Sequence, residues 1–188
     1  MKNHIIEESP VATFLLSNPK MSWIWFIVRV YVGWQWLHAG WGKLHSATWV
    51  GADAGASLTG FVNGALAKTA GAHPDVSGWY ASFLQHVILP HTATWAHVVA
   101  WGEFLVGVAL IIGLLTGIAA FFGLFMNLNF LLAGTLSINP VLLVLSIGLI
   151  LAWRIAGYLG VDYYFLPWIG TPWHPGILTK KKDAHYII

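Results

Sequence analysis

The residue of this sequence that best suits chemistry is a carboxylate inside its most apolar part. Glu103 stands in the segment Trp101-Gly102-Glu103-Phe104-Leu105-Val106-Gly107, and from position 76 to position 161 the only other formal charge is on Arg154. A charged side chain near the centre of a bilayer costs about 2.5–3.5 kcal/mol or more, so it is usually paired, turned to a protein interior or functional. Glu103 is therefore the first candidate functional residue.

Further polar side chains fall at similar depths in the predicted helices. At 1.5 Å per residue, Glu103 lies roughly 14 Å from the outer end of the second predicted helix and Arg29 about 10 Å from the inner end of the first. Asn127 lies near the middle of the third helix. Long side chains can bridge an offset of ~4–5 Å, so we predict a buried pair of Arg29 and Glu103, with Asn127 hydrogen-bonded to the carboxylate.

A purely structural role for these polar residues is the alternative. Buried pairs can hold a helix bundle together where small residues allow the backbones to approach closely. The candidate small residues are Gly33, Gly102, Gly107, Gly113 and Gly123. If the pair serves only packing, its joint apolar replacement should preserve activity.

The elements that position these residues are four apolar segments. The chain has 188 residues, of which 57% are hydrophobic and 9% charged, whereas soluble domains carry roughly 25% charged residues. We predict an all-α fold, a polytopic membrane four-helix bundle forming a single domain over 1–188. The predicted spans are about 22–43, 94–115, 118–136 and 141–158.

The long connection between the first two spans is predicted to form a cap. Residues 45–91 contain two short amphipathic pieces, 58–68 and 76–89, which suit the interface better than a span. An excess of Lys on the terminal side, at Lys2, Lys20 and 180–182, predicts cytoplasmic termini and an extracytoplasmic cap. Residues 161–188 are predicted to form an interfacial tail, and the N-terminus does not resemble a cleaved signal peptide.

Composition narrows the chemistry. The absence of cysteine excludes disulfides, thiolate metal sites and a thiol nucleophile on this chain. The net charge of +2 is interpreted as a topology signal rather than as affinity for nucleic acid. The sequence contains no haem, flavin or metal motif. The partners that the composition predicts are the lipid bilayer and, in a homo-oligomer, further copies of the chain.

Histidines and tryptophans leave two alternatives open. His38, His45, His86, His91 and His97 lie near the outer side, but none has tight metal-ligand spacing on one helix, so isolated interfacial histidines are favoured over a metal site. The tryptophans, Trp34 and Trp101 among them, suit either an aromatic belt or a platform for stacking a quinone.

These residues taken together resemble a known family. Arg29, the segment Gly40-Trp41-Gly42-Lys43-Leu44, the Glu103 segment with Leu110 and Gly113 after it, and Asn127 resemble the DoxX family over about 25–167. The resemblance implies a small four-helix protein of the prokaryotic plasma membrane, similar to the DoxD-type membrane subunit of thiosulfate:quinone oxidoreductase.

The resemblance also implies roles for individual residues. Lys43, Arg29 and His38 would hold the thiosulfate dianion by charge-assisted hydrogen bonds, with Gln35 and Asn127 as further substrate contacts. Glu103 would exchange the proton that accompanies quinone reduction, and Trp34 and Trp101 would stack the quinone. Electrons would pass directly or through a second redox subunit. The alternatives are a non-catalytic membrane anchor of a respiratory or oxidative-stress complex and a bundle that binds a small solute or lipid.

Overall fold

The computed structural model describes residues 8–171 and 174–175, and nearly all of its regular structure is helical. The predicted all-helical class is confirmed. The α-helices are α1 (Pro10–Ser17), α2 (Ser22–Leu44), α3 (Ala47–Val50), α4 (Ala56–Leu66), α5 (Gly78–Phe83), α6 (Thr92–Ile112), α7 (Thr116–Leu132), α8 (Asn139–Leu151), α9 (Trp153–Ala156) and α10 (Asp162–Ile169). Two two-residue strands, β1 (Gly170–Thr171) and β2 (His174–Pro175), pair antiparallel after α10.

The long helices end where glycines adopt left-handed backbone conformations. Gly113, with φ +72°, is the C-cap of α6, and Gly134, with φ +70°, follows the C-cap of α7. Glycine tolerates this conformation without steric strain and commonly terminates a helix. Helix α6, the second predicted span, therefore ends three residues before the predicted position 115. Helix α7, the third predicted span, ends four residues before position 136. The fourth predicted span is divided between α8 and α9, which are separated by Ala152.

Helices α2 and α6 form the closest pair in the structure because glycines lie at their contact. A Cβ on Gly40 would collide with the backbone of Phe104, and one on Gly107 would collide with the backbone of Leu37. The two contacts fix an antiparallel register, since residue numbers rise on one helix as they fall on the other. Close backbone approach through small residues is typical of helix pairs in membranes.

A substitution at Gly40 should therefore loosen this pair. We expect Gly40→Ala to lower the free energy of unfolding by about 1–3 kcal/mol, since the added methyl group overpacks the contact. Gly42→Ala on the same helix is the matched control, because a Cβ there meets nothing within 4 Å. Denaturant titration of the purified variants measures both. Equal stability of the two variants would contradict the observed α2–α6 contact.

The connection between α2 and α6 folds into a cap with its own small core. Helices α4 and α5 lie where the sequence predicts two amphipathic pieces. A π-helical turn at Leu84–Ile88 and a 3-10 turn at Leu89–His91 lead from α5 into α6. The buried apolar residues of this second core are Leu58, Val62, Ala65, Val76, Tyr80, Ala81, Leu84, Ile88, Ala96 and Ala133. The cap therefore packs directly on the bundle.

Large apolar side chains face outward from the long helices. Examples are Leu105 on α6, Phe125 on α7 and Val144 on α8, each more than half exposed. Of the described helices, the continuous stretch Gly78–Ile112 is long and apolar enough to cross a membrane, whereas α7 and α8 are apolar but have 17 and 13 residues. Lys2 and the lysines at 180–182, on which the predicted orientation depends, lie outside the described residues.

Candidate functional site

The candidate carboxylate Glu103 is paired with a lysine. Glu103 is 1% exposed, and Lys43 Nζ donates a 2.6 Å hydrogen bond to its Oε2. The same ammonium lies 5.0 Å from the ring centroid of Trp49 in α3, which covers it from the cap side. Gly40 places α2 against the backbone of Glu103 and Phe104, and Lys43 follows one turn later. A buried, cap-covered ion pair thus joins α2, α6 and the cap.

The predicted pair of Arg29 and Glu103 is wrong. The prediction compared depths from the ends of the helices, but the contacts of Gly40 with Phe104 and of Gly107 with Leu37 set the true register. By that register Glu103 is level with position 41 of α2, twelve residues from Arg29, or about 18 Å along the axis. No arginine side chain covers that distance. Lys43 lies within reach and takes the place predicted for Arg29.

Arg29 instead binds backbone carbonyl groups at the other end of α6. Its side chain is fully buried, and Nη1 donates to Leu110 O at 2.9 Å and to Ile111 O at 3.4 Å. Nη2 donates to Leu159 O at 2.9 Å. The last carbonyl groups of a helix have no partner within it and carry partial negative charge, so the guanidinium satisfies and neutralises them. Arg29 thereby joins α2, α6 and the segment after α9.

Asp162 completes this cluster at the turn between α6 and α7. Its carboxylate is 3% exposed and accepts hydrogen bonds from Leu115 N at 2.5 Å and Thr116 N at 2.8 Å, the first amide groups of α7. Its charge also interacts favourably with Arg29. A carboxylate is stabilised at a helix N-terminus. We call Arg29, Asp162 and the α6–α7 turn between them the turn cluster.

Asp162 was not among the residues predicted from the sequence. It was assigned to the interfacial tail, although it is the next acidic residue after Glu103 in the chain. That fact was the available signal, since the buried charge of Arg29 required a partner. Glycines give the cluster its room: a Cβ on Gly113 would collide with Arg29, and one on Gly157 would collide with Asp162.

Asn127 does not contact the carboxylate of Glu103 as predicted. Its side chain is fully buried, and its Nδ2 donates to Asn139 Oδ1 at 3.2 Å across the α7–α8 contact. Its Oδ1 makes no hydrogen bond to a protein group. Asn139 in turn donates to Thr135 O at 2.9 Å, so the two amides tie the start of α8 to the end of α7.

The residues predicted for stacking and substrate contact on the outer halves of α2 and α6 do not converge on the ion pair. Trp34 and Trp101 are 58% and 50% exposed, and each lies against a different ring: Trp34 on His38 at 6.2 Å and Trp101 on Phe104 at 5.9 Å. Trp34 and His38 line an open groove of about 400 Å³. Gln35 is half-buried. Within the described residues, no group of three or more His, Cys, Asp or Glu is placed to hold a metal ion.

An apolar cavity lies between the cap and the bundle, and none of the residues predicted for the site lines it. Its volume is about 180 Å³. Its walls come from α4, from the segment 80–88 and from α6 and α7, and they include Phe61, Leu84, Val99 and Phe130. The polar groups at its wall are those of Tyr80 and Asn129, where the tyrosine hydroxyl donates to Asn129 O at 2.9 Å and lies 3.2 Å from Asn129 Oδ1.

These features define the class and then the family. Apolar side chains cover the outside of the long helices, whereas the Lys43–Glu103 ion pair, the capped helix ends and the paired amides lie inside, which is the arrangement of a helical membrane protein. The DoxX family model matches residues 24–135, well over half of the chain, and the protein belongs to the DoxX family of membrane proteins. Comparison with curated proteins and with solved structures found no match to either.

Proposed function

We propose that this DoxX-family protein is a multi-pass membrane protein that binds a lipid-soluble quinone in the cavity between cap and bundle. The observation that carries the proposal is the cavity itself. Its walls are apolar, and its polar groups belong to Tyr80 and Asn129, which are hydrogen-bonded to each other. Small-molecule sites typically combine apolar walls with a few placed polar groups. A quinone ring has the same division, with an apolar face and two carbonyl oxygens.

The volume of the cavity suits a ligand with a single ring. An apolar cavity of about 150 Å³ accommodates benzene, and this cavity is about 180 Å³. A single substituted ring therefore fits, whereas drug-sized ligands occupy sites of roughly 300 Å³ or more. The hydroxyl of Tyr80 can redirect its hydrogen bond from Asn129 to a carbonyl oxygen of such a ring.

The rim of the cavity suits a ligand that arrives from the bilayer. Val98 and Phe125 line the cavity and are 54% and 58% exposed on the outward faces of α6 and α7. A quinone tail can leave between them into lipid while the ring stays inside. This route needs α6 and α7 to cross the membrane, so the proposal includes four spans, formed by α2, α6, α7 and the α8–α9 pair.

We also propose that both termini are cytoplasmic in a prokaryotic plasma membrane. Four spans return the chain to the side on which it started, and lysines concentrate near its two ends. The cap and the Lys43–Glu103 pair then lie toward the extracytoplasmic side.

Oxidation of thiosulfate is assigned in this proposal to a second redox subunit. Of the three side chains predicted to bind the dianion, Arg29 is enclosed by backbone carbonyl groups and Lys43 is neutralised by Glu103. His38 lies in the separate outer groove. In residues 8–171 and 174–175 the structure thus offers a ring-sized apolar site but no assembled dianion site. The role that follows is that of a quinone-binding membrane anchor.

Titration with a short-chain, one-ring quinone tests the proposal. We expect saturable binding to the purified protein in nanodiscs, weakened at least about tenfold by Val99→Phe, which fills the cavity. The controls are Trp34→Ala and Trp101→Ala on the outer surface, which should keep the parent affinity. Binding that survives Val99→Phe but is lost in Trp34→Ala would move the site to the surface groove. Thiosulfate-dependent quinone reduction by the chain alone would contradict the assignment to a partner.

A further inference from the structure

Unpartnered polar atoms are concentrated in one part of the bundle interior. In the described residues, the buried side-chain polar atoms without a hydrogen bond are Arg29 Nε, Trp36 Nε1, Thr116 Oγ1, Asn127 Oδ1 and Ser146 Oγ. All five residues lie on the buried faces of α2, α7 and α8. Buried polar groups are nearly always satisfied, by protein or by ordered water. Five such unpartnered atoms on three neighbouring helices indicate that they share a kind of hydrogen-bond partner.

The depths of these groups follow from the contacts between the helices. Asn127 pairs with Asn139, so Ser146, seven residues farther along the antiparallel α8, lies about 10 Å from that pair toward Thr116. A Cβ on Gly123 would lie 3.0 Å from Trp36 Nε1, which places the indole one turn from Asn127. The order along the axis is therefore Thr116, Ser146, Trp36 and Asn127.

The spacing along this file fits bridging water. Thr116 and Asn127 are eleven residues apart on α7, or about 16 Å, so successive groups are separated by roughly 4–6 Å along the axis. Two hydrogen bonds of about 2.8 Å through one water molecule cover such a gap. Direct hydrogen bonds would not. The file also contains both donors, such as the indole, and acceptors, such as Asn127 Oδ1.

The Thr116 end of the file meets the surface. A cleft of about 370 Å³ is lined by Thr116, Asp162 and Trp153, together with Phe121 and Ile169. Phe121 and Ile169 are 53% and 37% exposed, so the cleft is open at that side. Two polar side chains, one of them ionisable, thus lie where this cleft meets the bundle interior.

We propose that water enters at this cleft beside Asp162 and Thr116 and forms a file along Ser146 and Trp36 to Asn127, through which the Trp36 indole N–H exchanges its proton with solvent. Buried water requires two or more polar partners, which neighbouring groups of the file would supply. The Trp36 ring stacks on Phe130, a wall residue of the apolar cavity. The proposal stands without the quinone, because it concerns proton access alone.

Hydrogen–deuterium exchange of the Trp36 indole N–H tests the path. NMR of protein labelled with ¹⁵N-tryptophan follows the signal, and Trp36→Phe identifies it. We expect the indole to exchange faster than the backbone amide of the buried Val32 beside it, and Thr116→Val to slow it by roughly tenfold. Ile147→Val, on the exposed side of α8 and away from the cleft lining, is the control and should leave the rate unchanged. Exchange of the indole and the Val32 amide at one common rate, or no effect of Thr116→Val, would overturn the path.

The melting temperature of a second variant gives an independent readout. If Ser146 binds water, Ser146→Ala removes a satisfied hydroxyl and lowers Tm. If Ser146 lies in a dry contact, the same change removes an unsatisfied polar group and raises Tm. A rise in Tm would therefore reject the water file even if Thr116→Val failed to fold. Loss of quinone binding has no bearing on either result.

Discussion

Replacing Arg29 with Met should cause the largest loss of stability of any substitution considered. We expect the free energy of unfolding to fall by about 3–5 kcal/mol, because each buried carbonyl group left without its hydrogen bond costs about 1–3 kcal/mol and the guanidinium bonds to more than one of them. The change leaves the carbonyl groups of Leu110 and Leu159 without this donor and removes a positive charge that interacts favourably with the buried Asp162. Denaturant titration in detergent, followed by circular dichroism, measures the effect.

Arg29→Lys is the matched variant for this experiment. It retains the positive charge but lacks the planar fork that lets one guanidinium reach two carbonyl groups on separate segments. Its stability should lie between those of the parent and Arg29→Met. A loss below about 1 kcal/mol for Arg29→Met, the size of a surface effect, would contradict the capping role.

The second large effect is expected for Lys43→Met. This variant leaves Glu103 without a cation at a site where the carboxylate is 1% exposed. We expect a loss of about 3 kcal/mol, at the lower end of the range for buried pairs because Lys43 is itself 19% exposed. The double variant Lys43→Met/Glu103→Leu should recover most of that loss, since apolar residues of similar volume often replace a buried ion pair without cost.

A double-mutant cycle distinguishes the observed pairing from the one predicted by depth. The coupling energy between Lys43 and Glu103 should be large, whereas Arg29→Met and Glu103→Gln should be additive within about 0.5 kcal/mol because the two sites are distant. Strong coupling of Arg29 to Glu103 would restore the predicted pair. Quinone titration of the double variant Lys43→Met/Glu103→Leu also separates roles: unchanged affinity assigns the ion pair to packing of α2, α6 and the cap.

The two charged clusters explain how a bundle with so few charges holds its helices in one arrangement. The Lys43–Glu103 pair fixes one end of the α2–α6 contact, and the turn cluster fixes the other. Glycine contacts lie between these two charged sites. They allow the helix backbones to approach closely, but they do not by themselves fix the rotation of one helix against the other. Each of the two also contacts a segment outside the long helices. Lys43 lies over the ring of Trp49 in α3, and Arg29 of the turn cluster donates a hydrogen bond to the carbonyl group of Leu159. The cap and the C-terminal segment are thereby tied to the bundle.

The sequence by itself determined the helical class and the residues that matter. Hydrophobic runs interrupted by glycine and proline predict helices within a few residues of their observed bounds, because both signals are local. The exceptional cost of a charge among apolar side chains singled out Glu103 and Arg29, and both are fully buried. The DoxX resemblance, too, rests on short segments that can be read along the chain.

Only the tertiary structure decided which of these residues meet. Depth counted from helix ends placed Arg29 beside Glu103, but the register of α2 on α6 is set by Gly40 and Gly107, whose contacts lie on the partner helix. An error of a few residues in relative register moves a side chain by a whole turn or more. The contacts of Asp162 and the cavity beside Tyr80 form where segments distant in sequence pack together. No local sequence pattern therefore predicts either one.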